Sequence, residues 1–236
     1  MAIRIGIDLD GTVADLSAAY HAVEGALFGE HTETPVVDES EESAAETPAA
    51  PALDDADERM RTARGLWERR EQIWRTIRAT HDFWTSLEPL EPGVLGRLHA
   101  SSLTHGWEVF FVTQRPATAG QTVQRQTQQW LARHGFPEAC VLTLTGSRGR
   151  AAAALELDVL VDDLPKNCVD VVSDSRCRPI LVLRSPDENA ERAARRMSIG
   201  VVRSVAEAVD LLEAPGGLDR PSALKRIVRA LGFSAP

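Results

Sequence analysis

The sequence predicts an α/β fold, a parallel sheet covered by helices on both faces, with a small helical insertion after the first strand. Three observations carry this. The chain opens on a short apolar strand, from Ile3 to Asp8, that runs into Asp-Leu-Asp-Gly-Thr. From residue 108 onward, short apolar runs alternate with stretches of helical periodicity, the pattern of βα units. Between these regions, residues 13–90 show helical periodicity without strand alternation.

Each element has a local reason. In an extended chain residues two apart point to the same side, so Asp8 and Asp10 project together past the strand end, with Leu9 turned away. Gly11 permits a sharp turn there. Thr12 and Asp15 form a capping pair, and Leu16, Tyr20, Val23 and Leu27 recur at helical spacing, predicting a helix from about Thr12 to Phe28. Residues 30–58 are rich in Glu, Asp, Ala, Pro, Ser and Thr and poor in large apolar side chains. They bury too little to offset ordering entropy and are expected to be a disordered insertion. Met60, Ala63, Trp67, Trp74 and Ile77 mark one face of a second helix, Arg59 to about Thr80, in which Trp67 and Trp74 are read as core packing, with the substrate face of the cap as the alternative. After Phe83-Trp84, Pro92-Gly93 turns into a third helix, Val94–Thr104.

The alternation then begins. Strands are expected at Glu108–Thr113, Cys140–Leu144, Val159–Val161, Ile180–Leu183 and Val201–Val202. Helices are expected at Ala117–His134, Ser147–Leu155, Pro165–Asp174, Asp187–Met197 and Val205–Leu212. The expected organisation is an α/β core of residues 1–12 and 91–213 and a helical cap of residues 13–90 that contains the insertion. A tail, 214–236, carries a helix at Ser222–Leu231.

Composition narrows the function classes. The 236 residues, 43% hydrophobic, suffice for one core with an inserted subdomain. Residues 30–58 hold eleven Asp and Glu and no Lys or Arg, which outweighs the whole net charge of −9 and leaves the remainder at +2. No basic field marks a nucleic-acid binder, and none is expected as partner. No apolar run reaches membrane-spanning length and no signal peptide precedes the first strand, so a cytoplasmic protein without membrane contact is expected. Cys140, Cys168 and Cys177 have no metal-ligand spacing and read as reduced thiols. The chain has only two lysines, Lys166 and Lys225. The oligomeric state is not encoded in any recognisable pattern.

In an open α/β sheet, ligands bind outside the carboxyl ends of the strands. Three expected strands carry polar groups there: Asp8 and Asp10, then Thr113-Gln114-Arg115, then Asp162-Asp163. Gly146-Ser147-Arg148-Gly149-Arg150 opens a helix between the last two. Arginines are locally unfavourable at a helix N-terminus unless they face an anion. Adjacent carboxylates repel unless a divalent cation compensates, which points to Asp8, Asp10, Asp162 and Asp163 as a magnesium site. Together these parts suit phosphoryl transfer. Asp8 would attack phosphorus, and Asp10 would protonate the leaving oxygen and then activate water. Thr113 would hydrogen-bond the phosphoryl group, and Gln114, Arg115, Arg148 or Arg150 would bind substrate oxygens.

Asp-Leu-Asp-Gly-Thr, Thr113 at a strand end, a basic residue and Asp162-Asp163 resemble the four motifs of the haloacid dehalogenase (HAD) superfamily. More narrowly, DLDGTVAD, FWTSLEPLEPG, FVTQRP and LVDDLPKN are similar to the 5′(3′)-deoxyribonucleotidase-like family. The resemblance implies a HAD-like Rossmannoid three-layer core with a helical cap, Mg2+ as cofactor, and nucleoside monophosphates as substrates. It implies Asp8 as nucleophile, the Asp10 side chain as acid/base with its carbonyl on the metal, and Phe83 and Trp84 on the nucleobase side. Two departures stand out. No lysine lies between Thr113 and Asp162, where the superfamily places one; Arg150 is the first substitute and Arg148 the second. Gln114 replaces the small hydroxyl residue that usually follows the threonine. A HAD phosphatase for another small ester, and a HAD-fold binding protein without activity, are the alternatives.

Overall fold

The computed structural model describes residues 2–29 and 53–214, with side chains from residue 64 onward in the second stretch. Residues 30–52 of the acidic insertion and the expected tail helix at 222–231 lie outside the described residues.

Six parallel strands form one sheet in the order β3-β2-β1-β4-β5-β6. They are β1 Arg4–Asp8, β2 Glu108–Thr113, β3 Cys140–Thr143, β4 Val159–Asp162, β5 Arg178–Val182 and β6 Gly200–Val202. The helices are α1 Leu16–Phe28, α2 Leu53–Ala79, α3 Val94–His105, α4 Val123–Arg133, α5 Arg148–Ala154, α6 Pro165–Asp174, α7 Glu188–Arg196 and α8 Val205–Glu213. Strand pleating sorts the core into two layers. Ile5, Ile7, Val159, Val161, Ile180 and Val182 share a cluster with Leu98 of α3, Trp130 of α4 and Val209 of α8. The intervening Leu160 and Leu181 pack on the opposite side with Ala152 of α5, Val171 and Cys168 of α6 and Ala194 of α7. The result is the expected three-layer α/β arrangement.

β2 and α6 coincide with the sequence expectation, and most other core elements agree within one or two residues. Three boundaries differ for physical reasons. α1 begins at Leu16, not Thr12, because Asp15 is its cap, accepting from the Ala18 N–H at 2.9 Å. Residues 9–14 instead form a tight turn, with Val13 N–H donating to the Leu9 carbonyl at 2.8 Å and Gly11 N–H to the Ala14 carbonyl at 2.9 Å. α2 begins at Leu53, so residues 53–58 of the expected disordered stretch are helical; their acids fall in the first turns, where the helix dipole favours negative charge. α4 begins at Val123 rather than Ala117. Residues 119–121 are drawn into pairing with the end of α2: Ala119 N–H donates to the Arg78 carbonyl, Asp82 N–H to the Ala119 carbonyl, and Gln121 N–H to Asp82 Oδ1 at 2.7 Å.

The short turn Phe83–Thr85 is held on α4, though the sequence places it in the cap. Trp84 N–H donates to Gln126 Oε1 at 3.0 Å, and Trp130 Nε1 donates to the Leu87 carbonyl at 2.7 Å. No helix among the described residues is long and apolar enough to cross a membrane.

The α5–α6 contact sets the position of Arg148. Ser147 caps α5, accepting from Gly149 N–H at 3.1 Å and donating to Asp174 of α6 at 2.9 Å. A Cβ on Gly149 would fall inside van der Waals contact with the Asp170 carbonyl and Asp174 Cβ. Gly149→Ala is therefore expected to force the two helices apart and to lower unfolding stability by about 2 kcal/mol. Denaturant unfolding checks this; unchanged stability would contradict it.

Candidate active site

Asp8 ends β1 and Asp162 ends β4. Ile7 pairs with Val161, so the two aspartates that follow stand side by side at the carboxyl edge of the sheet. Asp8 is 4% exposed and Asp162 fully buried. Arg148, the first residue of α5, sends Nη2 to Asp8 Oδ1 at 2.5 Å and Nε to Asp162 Oδ2 at 3.5 Å. Asp162 also accepts from Leu164 N–H at 2.9 Å and from Asn167 Nδ2 at 3.1 Å. Asp163 accepts from Thr12 Oγ1 at 2.8 Å, a hydroxyl that also lies 3.4 Å from Asp8 Oδ2. Gly11 has φ +81°, and any side chain there would collide with the Asp163 carboxylate.

One carboxylate oxygen from each of Asp8, Asp162 and Asp163 lies within 4.8 Å of the others. Fully ionised, this cluster carries three negative charges against the single positive charge of Arg148. The deficit of two shows in the acid–base behaviour. Burial first, then the Asp162 charge, pushes the Asp8 carboxyl well up. Burial raises Asp162 against the opposing pull of Arg148. Burial and Asp162 together push Asp163 up to about 7. An all-oxygen donor set with a charge deficit of two fits magnesium, and Asp8, Asp162 and Asp163 are the side chains that would hold it. Asp10, grouped with them in the sequence reading, gives its side chain elsewhere.

That partner is Arg115. Its Nε donates to Asp10 Oδ2 at 2.8 Å and its Nη2 to Asp10 Oδ1 at 2.6 Å, a bidentate pair. The Arg115 side chain is fully buried, bonded through Nη1 to Thr127 Oγ1 at 3.0 Å and stacked 4.7 Å from the Trp84 ring centroid. Arg115 thus orients Asp10 rather than standing open to substrate. Thr113 Oγ1 lies 3.5 Å from Asp10 Oδ2, and Gln114 Nε2 donates to the Gly146 carbonyl at 2.9 Å.

A cavity of about 180 Å³ opens over these groups. Asp8, Asp10, Thr113, Gln114, Arg115, Arg148, Asp163 and Trp84 border it, with Asp162 buried behind. Two sequence assignments change. Arg150, ranked first as the basic residue, is exposed and away from the cavity, whereas Arg148 faces Asp8. Residues two apart on a helix lie about 200° apart around its axis, so the two cannot both turn inward. Phe83 is buried edge-on against Trp84, ring centroids 5.1 Å apart, and does not reach the cavity. Two residues enter that the sequence does not place in the site, Thr12 and Asn167, and Trp74 takes the second of its two expected roles, on the cavity wall. Thr12 has the look of a helix cap in the sequence. Nothing local marks Asn167, although its place on the first turn of α6, behind Asp162-Asp163, is the available signal.

No family model and no curated protein matches the chain. Solved structures do. A hydrolase from Pseudomonas syringae aligns over 92% of this chain and 100% of its own at 14% identity, with a TM-score of 0.52. A candidate β-phosphoglucomutase from Thermotoga maritima aligns over 91% and 100% at 14% identity, with a TM-score of 0.50. The chain shares the three-layer α/β fold of these two structures. At this identity the likeness shows the fold alone, and the chemistry rests on the side chains.

The raised Asp163 carboxyl makes the metal-free protein pH-sensitive. A folded-state value of about 7, against the ordinary 3.8, means the folded chain binds the extra proton between these limits. Its stability contribution is therefore lost as pH rises from about 4 to about 7. Without metal, Asp163→Asn is expected to gain on the parent over this range, by on the order of a few kcal/mol, and to level off above it. Thermal melts of both proteins at pH 4 to 8 with chelator check this. A pH-independent difference would refute the raised Asp163.

Proposed function

We propose that the chain is a magnesium-dependent phosphomonoesterase, most specifically a 5′-nucleotidase acting on nucleoside monophosphates. The observation that carries the phosphatase reading is Asp8 on the cavity floor, met by Arg148 on one side and by two further acids on the other. The nucleotide reading rests on the sequence resemblance and on the Trp84 wall.

A phosphate ester entering the cavity brings its phosphorus to the Asp8 carboxylate. Asp8 forms the new P–O bond while the ester P–O bond breaks. Asp10, oriented by Arg115, takes up a proton from solvent before this step and gives it to the departing oxygen. Water then attacks the aspartyl-phosphate, Asp10 takes its proton, and Asp8 is regenerated with release of inorganic phosphate. Arg148 offsets negative charge at the reacting oxygens, and the Thr113 hydroxyl is placed to donate to the phosphoryl group. Magnesium, when bound, supplies the positive charge that lets an anionic nucleophile meet an anionic substrate.

Phosphate release from a panel of nucleoside monophosphates and sugar phosphates, with magnesium and with chelator, tests this. Magnesium-dependent turnover of the nucleotides is expected. Turnover of sugar phosphates alone would remove the nucleotidase reading, and no turnover of any ester would remove both.

The basic residue is tested separately. Arg148→Ala is expected to lower kcat/KM by about 10²- to 10³-fold, with Arg148→Lys recovering part of the loss, while Arg150→Ala stays within about twofold of the parent. Asp8→Asn is expected to lose at least about a thousandfold. Loss on Arg150→Ala but not on Arg148→Ala would reverse the assignment.

A further inference from the structure

One arginine outside the carboxylate cluster is tied to it through the backbone. Arg184 stands two residues past the end of β5, and β4 lies between β5 and β1 in the sheet. Its guanidinium therefore reaches across the end of β4, the strand that delivers Asp162 and Asp163, to the turn after β1. There Nη2 donates to the Thr12 carbonyl at 2.6 Å. Nη1 donates to Glu91 Oε1 at 2.8 Å. Glu91 lies between the Phe83–Thr85 turn and α3. Its carboxylate also accepts from Val205 N–H at 2.8 Å and Ala206 N–H at 2.9 Å, the first two residues of α8. The clasp has a fixed base. Arg203 Nη1 donates to the Leu183 carbonyl at 3.0 Å and lies 3.4 Å from the Ser185 carbonyl, on either side of Arg184.

We infer that Arg184 is a positioning residue for the metal site, acting through Thr12 on Asp163. This rests on the magnesium site of the function proposed above. The turn of residues 9–14 uses the Leu9 and Ala14 carbonyls internally and gives the Val13 carbonyl to Leu90 N–H at 2.9 Å. Its Thr12 carbonyl goes to Arg184, and the Thr12 hydroxyl donates to Asp163 Oδ1 at 2.8 Å. Thr12 thus receives a bond on its backbone and passes one from its side chain to a carboxylate of the cluster. The fit is close. Gly11 has no room for a Cβ beside the Asp163 carboxylate, so a displaced turn is felt at Asp163. Outer hydrogen bonds that orient a ligand carboxylate count in metal affinity. The Arg184–Glu91 ion pair taken alone would count for little, because the Arg184 side chain is 32% exposed. An arginine suits the task because its planar fork meets two acceptors at once, whereas a lysine ammonium is a point charge.

The test is magnesium binding to the full chain at pH 7 by isothermal titration calorimetry, beside urea unfolding of the metal-free protein. Arg184→Met keeps the apolar stem and removes every donor, while Glu91 still caps α8. It is expected to raise the magnesium Kd about fivefold, and Thr12→Val, which removes the hydroxyl, about tenfold. Because both act through one hydrogen bond, the double variant is expected to stay near about tenfold, where independent effects would multiply to about fiftyfold. Arg184→Lys is expected to recover part of the affinity. An arginine with a purely structural role would lower unfolding stability on replacement and leave the Kd at the parent's value; that result overturns the inference. So does a fully multiplicative loss in the double variant. If Arg184→Met does not fold, Arg184→Gln, whose amide is too short to reach both acceptors, takes its place against the same outcomes. In each of these cases the phosphatase reading stands. A parent that binds no magnesium removes the metal site and this inference together.

Discussion

Mutual repulsion among carboxylates is the constraint on which the rest of this site depends. Three acids are brought together at the carboxyl edge of the sheet, two of them from neighbouring strands in register. Water cannot screen them there, because Asp8 and Asp162 are buried. The surrounding structure answers that cost piece by piece. Arg148 supplies one charge, Asn167 and the Leu164 N–H hold Asp162, and Thr12 holds Asp163. Burial and the neighbouring carboxylates push the Asp8 and Asp163 carboxyls up from their ordinary range. The close α5–α6 contact through Gly149 is part of the same arrangement, since it decides where Arg148 begins its helix.

A second charge system runs beside the first, close enough for the Asp10 charge to act on Asp8 and Asp163. Asp10 and Arg115 neutralise one another in a bidentate pair, and Arg115 is boxed in by Thr127 and the face of Trp84. Trp84 is in turn fixed by its own N–H on Pro116 and by its backbone on Gln126. The chain of contacts links the wall of the cavity to the group proposed to move protons, so a change at the wall is felt at Asp10. Division of labour between Asp8 and Asp10 follows: one acid joins the cluster that calls for a cation, and its neighbour two residues on is held by an arginine.

What was legible in the sequence was what local pattern encodes. The end of β2 at Thr113 and the whole of α6 follow from an apolar run and from Pro165 at a helix start. The paired acids at Asp8-Leu9-Asp10 and Asp162-Asp163 were legible because strand ends in an α/β sheet face the ligand side. Departures occur where a tertiary partner overrides the local signal. Thr12 looks like a cap but bonds across the site to Asp163. Residues 119–121 look helical but pair with the end of α2. Arg148 and Arg150 look equivalent in the sequence, and it is the close α5–α6 contact at Gly149 that turns Arg148 inward. Periodicity leaves Trp74 open between core and cavity wall, because both are buried.

Proton release on magnesium binding tests the central claim most directly. Magnesium titrated into the metal-free protein at pH 7, with released protons counted, reads the charge deficit. The expected result is one cation per chain, protons released as it binds, and affinity that weakens steadily as pH is lowered below about 7. A protein that takes up no magnesium, or binds it with no proton release and no pH dependence, would contradict a site built on three carboxylates and one arginine.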